Sequence, residues 1–158
     1  MKFPKLLSSL LLFVALPACG HIQTIPGTTV QDNRLNRHLI EVMEEYRTAL
    51  ESRDPVRLLA LAHPQYFEDS GTVKTDDDYG YDGLKRVLET RLAAVRTLHY
   101  NIEYRRIQVT GTRAQVDIRY DATLQMATAL GDRWERKQND KRIELEREGE
   151  RWLIISGM

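Results

Sequence analysis

The residues from Ala114 to Met126 alternate without a break. Ala114, Val116, Ile118, Tyr120, Ala122, Leu124 and Met126 are interleaved with Gln115, Asp117, Arg119, Asp121, Thr123 and Gln125. A strict period of two over this length is a strand with one buried and one solvated face. Such a strand needs paired neighbours and a covering layer to be stable. The neighbours are legible on both sides. Leu98, Tyr100, Ile102 and Tyr104 alternate with polar residues, and the apolar parity then flips to Ile107 and Val109, which predicts a β-bulge near Arg105 and Arg106. Gly111 marks a turn. Gly131-Asp132 opens a third strand over roughly 133–146, with a break expected at Gln138-Asn139-Asp140. After Glu148-Gly149 comes a last strand, Arg151 to Ser156.

The covering layer comes first in the chain. From about Asp32, Leu35, Leu39, Val42, Met43, Tyr46, Ala49 and Leu50 form one helical stripe. Asp54 is a good N-cap and Pro55 suits the first helical position, so a short helix is expected over 55–62. His63-Pro64 ends it, because the residue before proline is pushed out of the helical region. Residues 65–72 read as an extended or looping piece and 76–81 as a polar loop. A further helix is expected over 83–97, capped by Asp82. Helices followed by an antiparallel meander make an α+β domain.

Several points along this order resemble the nuclear transport factor 2-like superfamily, which includes SnoaL-like proteins. They are Tyr46-x-x-Ala49 with Asp54, the Tyr66-Phe67 piece, the Gly83-Leu84 helix start and the closing Glu150-Arg151-Trp152-Leu153-Ile154. The resemblance implies a cone: about three N-terminal helices packed on a curved four-stranded antiparallel sheet, with a pocket at the open end. The family holds ketosteroid isomerase, limonene epoxide hydrolase, polyketide cyclases and many non-catalytic proteins, so the fold leaves function open.

The first residues carry a different message. Lys2 and Lys5 precede an apolar stretch from Leu6 to Ala15, which has signal-peptide length and falls short of the roughly 17–25 residues of a membrane span. Leu16-Pro17-Ala18-Cys19 then resembles the lipobox of bacterial lipoproteins, with Pro17 a departure at the −2 position. The resemblance implies cleavage before Cys19, lipid (palmitate among the acyl chains) on that residue, and anchorage in the cell envelope. Gly20, in place of the aspartate that retains many lipoproteins in the inner membrane, implies the periplasmic face of the outer membrane. Cys19 is the single cysteine, so no intramolecular disulfide is available to it. The expected organisation is a signal peptide (1–18), a flexible tether (19–31) and one domain (32–158). Lysine plus arginine balance aspartate plus glutamate at 23 each, and no basic stripe for nucleic acid is present.

Catalytic chemistry is sparse. His21, His38, His63 and His99 are scattered, with no pair at metal-ligand spacing, and no phosphate loop or nucleophile elbow occurs. Asp76, Asp77 and Asp78 lack the glutamate that would close a calcium loop, so no metal or cofactor is expected. The aromatics are more suggestive. Tyr46, Tyr66, Tyr100, Tyr104, Tyr120 and Trp134 are the candidate pocket residues, because tyrosines converging on a cavity give a mixed apolar and polar lining. No carboxylate can be placed among them, which points away from an enzyme. The expected partners are the membrane, a small apolar ligand or a protein, and a second copy through the sheet. An isomerase, cyclase or hydrolase on an apolar substrate is the alternative, and an assembly accessory a third.

Overall fold

The computed structural model describes residues 23–69 and 77–158. Cys19, His21 and Asp76 lie outside the described residues. Helix α1 (Arg34–Glu51) is capped by Asn33, whose side chain accepts from Asn36 N at 2.8 Å. It buries Leu39, Met43, Tyr46 and Ala49, as the stripe predicts. Leu35 falls out of that stripe, 37% exposed, while Asn36 turns inward and donates from Nδ2 to Gln31 O at 2.8 Å. Helix α2 (Pro55–Leu61) is capped by Asp54, which accepts from Val56 N and Arg57 N.

Two short strands, β1 (Phe67–Glu68) and β2 (Tyr79–Gly80), pair with each other. Helix α3 (Tyr81–Ala93) starts and stops earlier than its sequence suggests. Asp82 sits in its first turn rather than at the cap, where its charge still suits the helix dipole. Its expected last residues join the sheet instead: Val95 pairs with Met126 and Thr97 with Gln125. Stiff β-branched side chains favour that choice.

The main sheet has the order β3 (Val95–Thr110), β4 (Arg113–Thr128), β5 (Gly131–Glu148) and β6 (Arg151–Ser156), antiparallel throughout. A register shift between Tyr104 and Arg106 is the expected bulge. Strand β5 runs unbroken through residues 138–140, because Gln138 bonds Asp121 and Asp140 pairs with Arg119. One face of the sheet carries Val116, Ile118, Ile143 and Leu145 into a core shared with Leu39, Met43 and Leu58. The other face is a ladder of ion pairs: Arg106 and Arg142 on Asp117, Arg119 on Asp140, Arg136 on Asp121. Exposed pairs of this kind are worth about 0–1 kcal/mol each.

Residues 23–31, within the segment expected as a tether, are folded onto the body. Ile25 N donates to Val30 O, Thr29 Oγ1 donates to Arg105 O at 2.7 Å, and Val30 is buried. The outer edge of β3 is closed by such contacts: Tyr100 N donates to Glu51 Oε1 at 2.9 Å, and Arg53 donates to Val95 O at 2.9 Å.

Candidate functional site

Between the helices and the concave face of the sheet lies a cavity of about 640 Å³, within the usual size of small-molecule sites. Its walls follow from the periodicities. Helix α1 contributes Tyr46 and Leu50, and α3 contributes Leu84, Val87, Leu88 and Leu92. Strands β3 and β4 supply Leu98, Tyr100, Tyr120, Ala122, Leu124 and Met126 from one parity. Tyr46 and Tyr100 meet edge to face at 6.2 Å, and Tyr100 stacks on Tyr120 at 5.2 Å, 13° between planes. Burial, and then the neighbouring Tyr46 and Tyr120, push the Tyr100 hydroxyl above the ordinary phenol range. It is therefore a neutral hydrogen-bonding group at physiological pH.

The charged lining is of one sign. Arg91 on α3 and Lys137 and Lys141 on β5 reach the cavity, and the described lining residues include no aspartate, glutamate or histidine. Lys141 is half-buried, while Arg91 and Lys137 are exposed at the mouth. Two carboxylates lie close behind the wall but are occupied. Glu44 accepts from Tyr104 Oη at 2.6 Å and from Arg47 Nε at 2.7 Å. Glu51 accepts from Arg47 Nη1 at 2.7 Å in addition to Tyr100 N. Among the described residues, no group of three or more His, Cys, Asp or Glu side chains could hold a metal ion.

No protein-family model matches the sequence, and no curated protein matches it. Solved structures do. A nuclear transport factor 2-like superfamily protein from Salmonella enterica superposes with a TM-score of 0.64 at 12% identity, over 78% of this chain and 87% of that one. A protein of the same family from Streptomyces avermitilis, described as a dehydratase, gives 0.64 at 13% identity, over 77% and 92%. A protein from Novosphingobium aromaticivorans described as a scytalone dehydratase gives 0.64 at 17%, over 78% and 80%. The chain has the nuclear transport factor 2-like fold. At these identities the likeness carries the architecture and leaves the chemistry to the cavity itself.

Within this nuclear transport factor 2-like cone, three of the six expected aromatics, Tyr46, Tyr100 and Tyr120, come together on the cavity wall. The other three do not line it. Tyr104 is buried beside them but spends its hydroxyl on Glu44; burial and that bond hold it well above the ordinary phenol range. Tyr66 is buried where the chain closes, donating to Glu68 Oε2 at 2.5 Å and accepting from Met158 N at 3.1 Å. Trp134 is 58% exposed. It pairs with Gln125, whose parity is opposite to that of the lining Leu124 and Met126, so it stands on the outer face.

The lining residues that sequence reasoning missed include Arg91, Lys137, Lys141 and Met158. A signal existed for the lysines. Counting back by twos from the buried Ile143 and Leu145 reaches Lys141, Asn139 and Lys137 on the same face. The described histidines stay outside the site: His63 Nδ1 accepts from Gln65 N, and His38 pairs with Glu41 on the surface.

Proposed function

We propose that this chain is a membrane-anchored envelope protein whose cone binds a small, mostly apolar ligand bearing an anionic end, without transforming it. The observation that carries the reading is the composition of the cavity. Apolar side chains and four tyrosines line it, and its only charged groups among the described lining residues are Arg91, Lys137 and Lys141. Buried apolar surface supplies affinity at roughly 25 cal/mol per Å², and the cations orient an acidic head at the mouth. General acid–base work requires a group whose pKa lies near the working pH. The described lining holds no carboxylate or histidine for that role, and burial raises the Tyr100 hydroxyl away from it, which favours binding over the dehydratase-like alternative.

The anchor belongs to the same reading. Cys19, following Leu16-Pro17-Ala18, is the proposed lipid attachment point, and residues 1–18 the cleaved signal. Gly20 supports the periplasmic face of the outer membrane as the destination. Two measurements test the proposal. The Cys19→Ala variant should lose palmitate labelling and leave the membrane fraction; unchanged membrane association refutes the anchor. That same full chain, titrated with 8-anilinonaphthalene-1-sulfonate, should release the dye to oleate more readily than to oleyl alcohol. Adding Lys137→Gln and Lys141→Gln should weaken oleate about tenfold, the loss of two modest charge contacts. Equal displacement by acid and alcohol, or no effect of the lysine variants, would sink the ligand reading.

A further inference from the structure

A chain free from Cys19 to Asp32 would reach about 45 Å when fully extended. The folded 23–31 segment shortens that reach. Asp32 N donates to Gln23 O at 2.8 Å, Thr24 pairs with Gln31, and Thr29 Oγ1 holds the turn to β3. Gln23 therefore stands beside Asp32, at the N-terminal end of α1. From Cys19 to Gln23 the chain spans at most about 14 Å.

The mouth of the cavity lies at the other end of the molecule. Helix α1 has 18 residues, about 27 Å of helix, and it runs from the Gln23 end toward the cavity. Its last turns supply the lining residues Tyr46 and Leu50, and Glu51 there binds Tyr100 N. Lys137 at the mouth is on the same level, since it pairs with Ala122 and Ala122 with Tyr100. The two are also apart across the sheet: the 23–31 turn sits on the outer edge of β3, whereas Lys137 and Lys141 are two strands away on β5. At the Gln23 end, the β5–β6 turn joins the helix start, because Arg147, Gly149 and Glu150 share one surface groove with Arg34 and Leu35.

We propose that the lipid-anchored domain stands on this end, the α1 N-terminus and the β5–β6 turn, against the phospholipid headgroups, and that the short linking chain holds the mouth of the cone away from that membrane. The proposal rests on lipid attachment at Cys19. A mouth-down arrangement would put Gln23 about 27 Å above the headgroups, nearly twice the reach of the linking chain. The chemistry of the end suits a headgroup layer. Exposed Arg34 and Arg147 match lipid phosphates, and exposed Glu150 matches the ethanolamine ammonium. Arg37 stays paired with Asp32. The ligand of the cone then enters from the aqueous side, and the bilayer that holds the anchor does not pass it in directly.

The test uses the full chain, acylated and reconstituted in vesicles of phosphatidylethanolamine and phosphatidylglycerol. Acylation of Cys19 leaves an introduced cysteine as the one free thiol. A bimane label is placed at Glu150→Cys, or at Leu130→Cys on the fully exposed β4–β5 turn of the mouth end, and the vesicles carry a lipid with a nitroxide on its headgroup. Position 150 should be quenched at least about threefold more than position 130, which the linking chain keeps clear of the surface. Inserting about 20 Gly and Ser residues after Gly20 frees the domain and should bring the ratio close to one. Palmitate labelling of the same samples separates the two readings: without palmitate the anchor fails, and the orientation with it. Palmitate present with position 130 quenched as strongly as 150, or a ratio unmoved by the insertion, would overturn the orientation alone.

Discussion

Replacing Tyr66 with phenylalanine isolates a single oxygen that ties together three parts of the chain. Tyr66 is 2% exposed, so phenylalanine fills the same space and leaves no cavity of consequence. What disappears is a donor to Glu68 at 2.5 Å and an acceptor for Met158 N at 3.1 Å. The same Glu68 oxygen also accepts from Gly157 N at 2.8 Å, so the carboxylate keeps one partner. A hydrogen bond to a charged group contributes about 1.5–3 kcal/mol and a neutral one about 0.5–1.5 kcal/mol. Glu68 is only half-buried and water can replace part of the loss, which brings the expected cost to about 2–3 kcal/mol. For a domain of this size that is a fall in Tm of roughly 6–15 °C. Thermal and urea unfolding followed by far-ultraviolet circular dichroism would measure it, with the urea slope unchanged. Glu68→Gln combined with Tyr66→Phe should cost clearly less than the two single losses added, since both remove the same contact. A Tm within about 2 °C of the parent, or simple additivity of the pair, would refute the claim that this oxygen holds the closing segment.

Two further perturbations probe the sheet. Asp121 is held down to about 2 by its hydrogen bond from Arg136 and then by Gln138. A carboxyl depressed in the folded state adds stability above its unfolded value, about 3.9, and loses it as pH falls toward the folded one. Stability should therefore drop between about pH 4 and pH 2, and Asp121→Asn should flatten part of that drop in acid titrations at low salt; an unchanged profile would remove Asp121 from the account. Gly157 has φ 86°, and a Cβ there would lie 2.3 Å from Arg142 O, a backbone atom that cannot swing aside. Gly157→Ala should cost at least about 2 kcal/mol in urea unfolding, and a neutral result would show that the closing segment readily finds another path.

The elements that could be read from sequence are those that bury one clean face. The β4 alternation, the α1 stripe, the Asp54-Pro55 cap and the parity flip at Arg105-Arg106 all reappear in the structure, because each reflects a local demand with a single solution. Elsewhere the deciding partner was distant in the chain. Tyr104 has the right parity for the pocket, but Glu44, sixty residues away, claims its hydroxyl. Tyr66 is claimed by Glu68 and the closing segment. The helical pattern of α3 continues past Ala93, but Val95 and Thr97 gain ladder partners in β4 that a helix could not offer. At β5 the expected break came from reading Gln138-Asn139-Asp140 as turn residues. Their polarity instead reflects where they point, toward an open cavity and an outer charged face.

Strand β5 connects these features. Where β6 lies beside it, from Glu144 onward, the inward position Leu145 is fully buried, as is Ile143 just before it, next to Gly157. Before that point the neighbouring strand is missing, and the inward positions become Lys141, Asn139 and Lys137. Among the described residues no strand flanks those side chains, so water reaches them and the sequence can place cations there at little cost. The same short overlap leaves the backbone edge of 131–141 without a paired strand among the described residues. A cationic mouth and an unpaired edge are thus two consequences of one structural fact, the short overlap of β6 with a long β5. Extending that overlap with apolar residues would close both at once, whereas changing Lys137 or Lys141 alone alters the mouth and the inner-face charges and leaves the backbone edge in place.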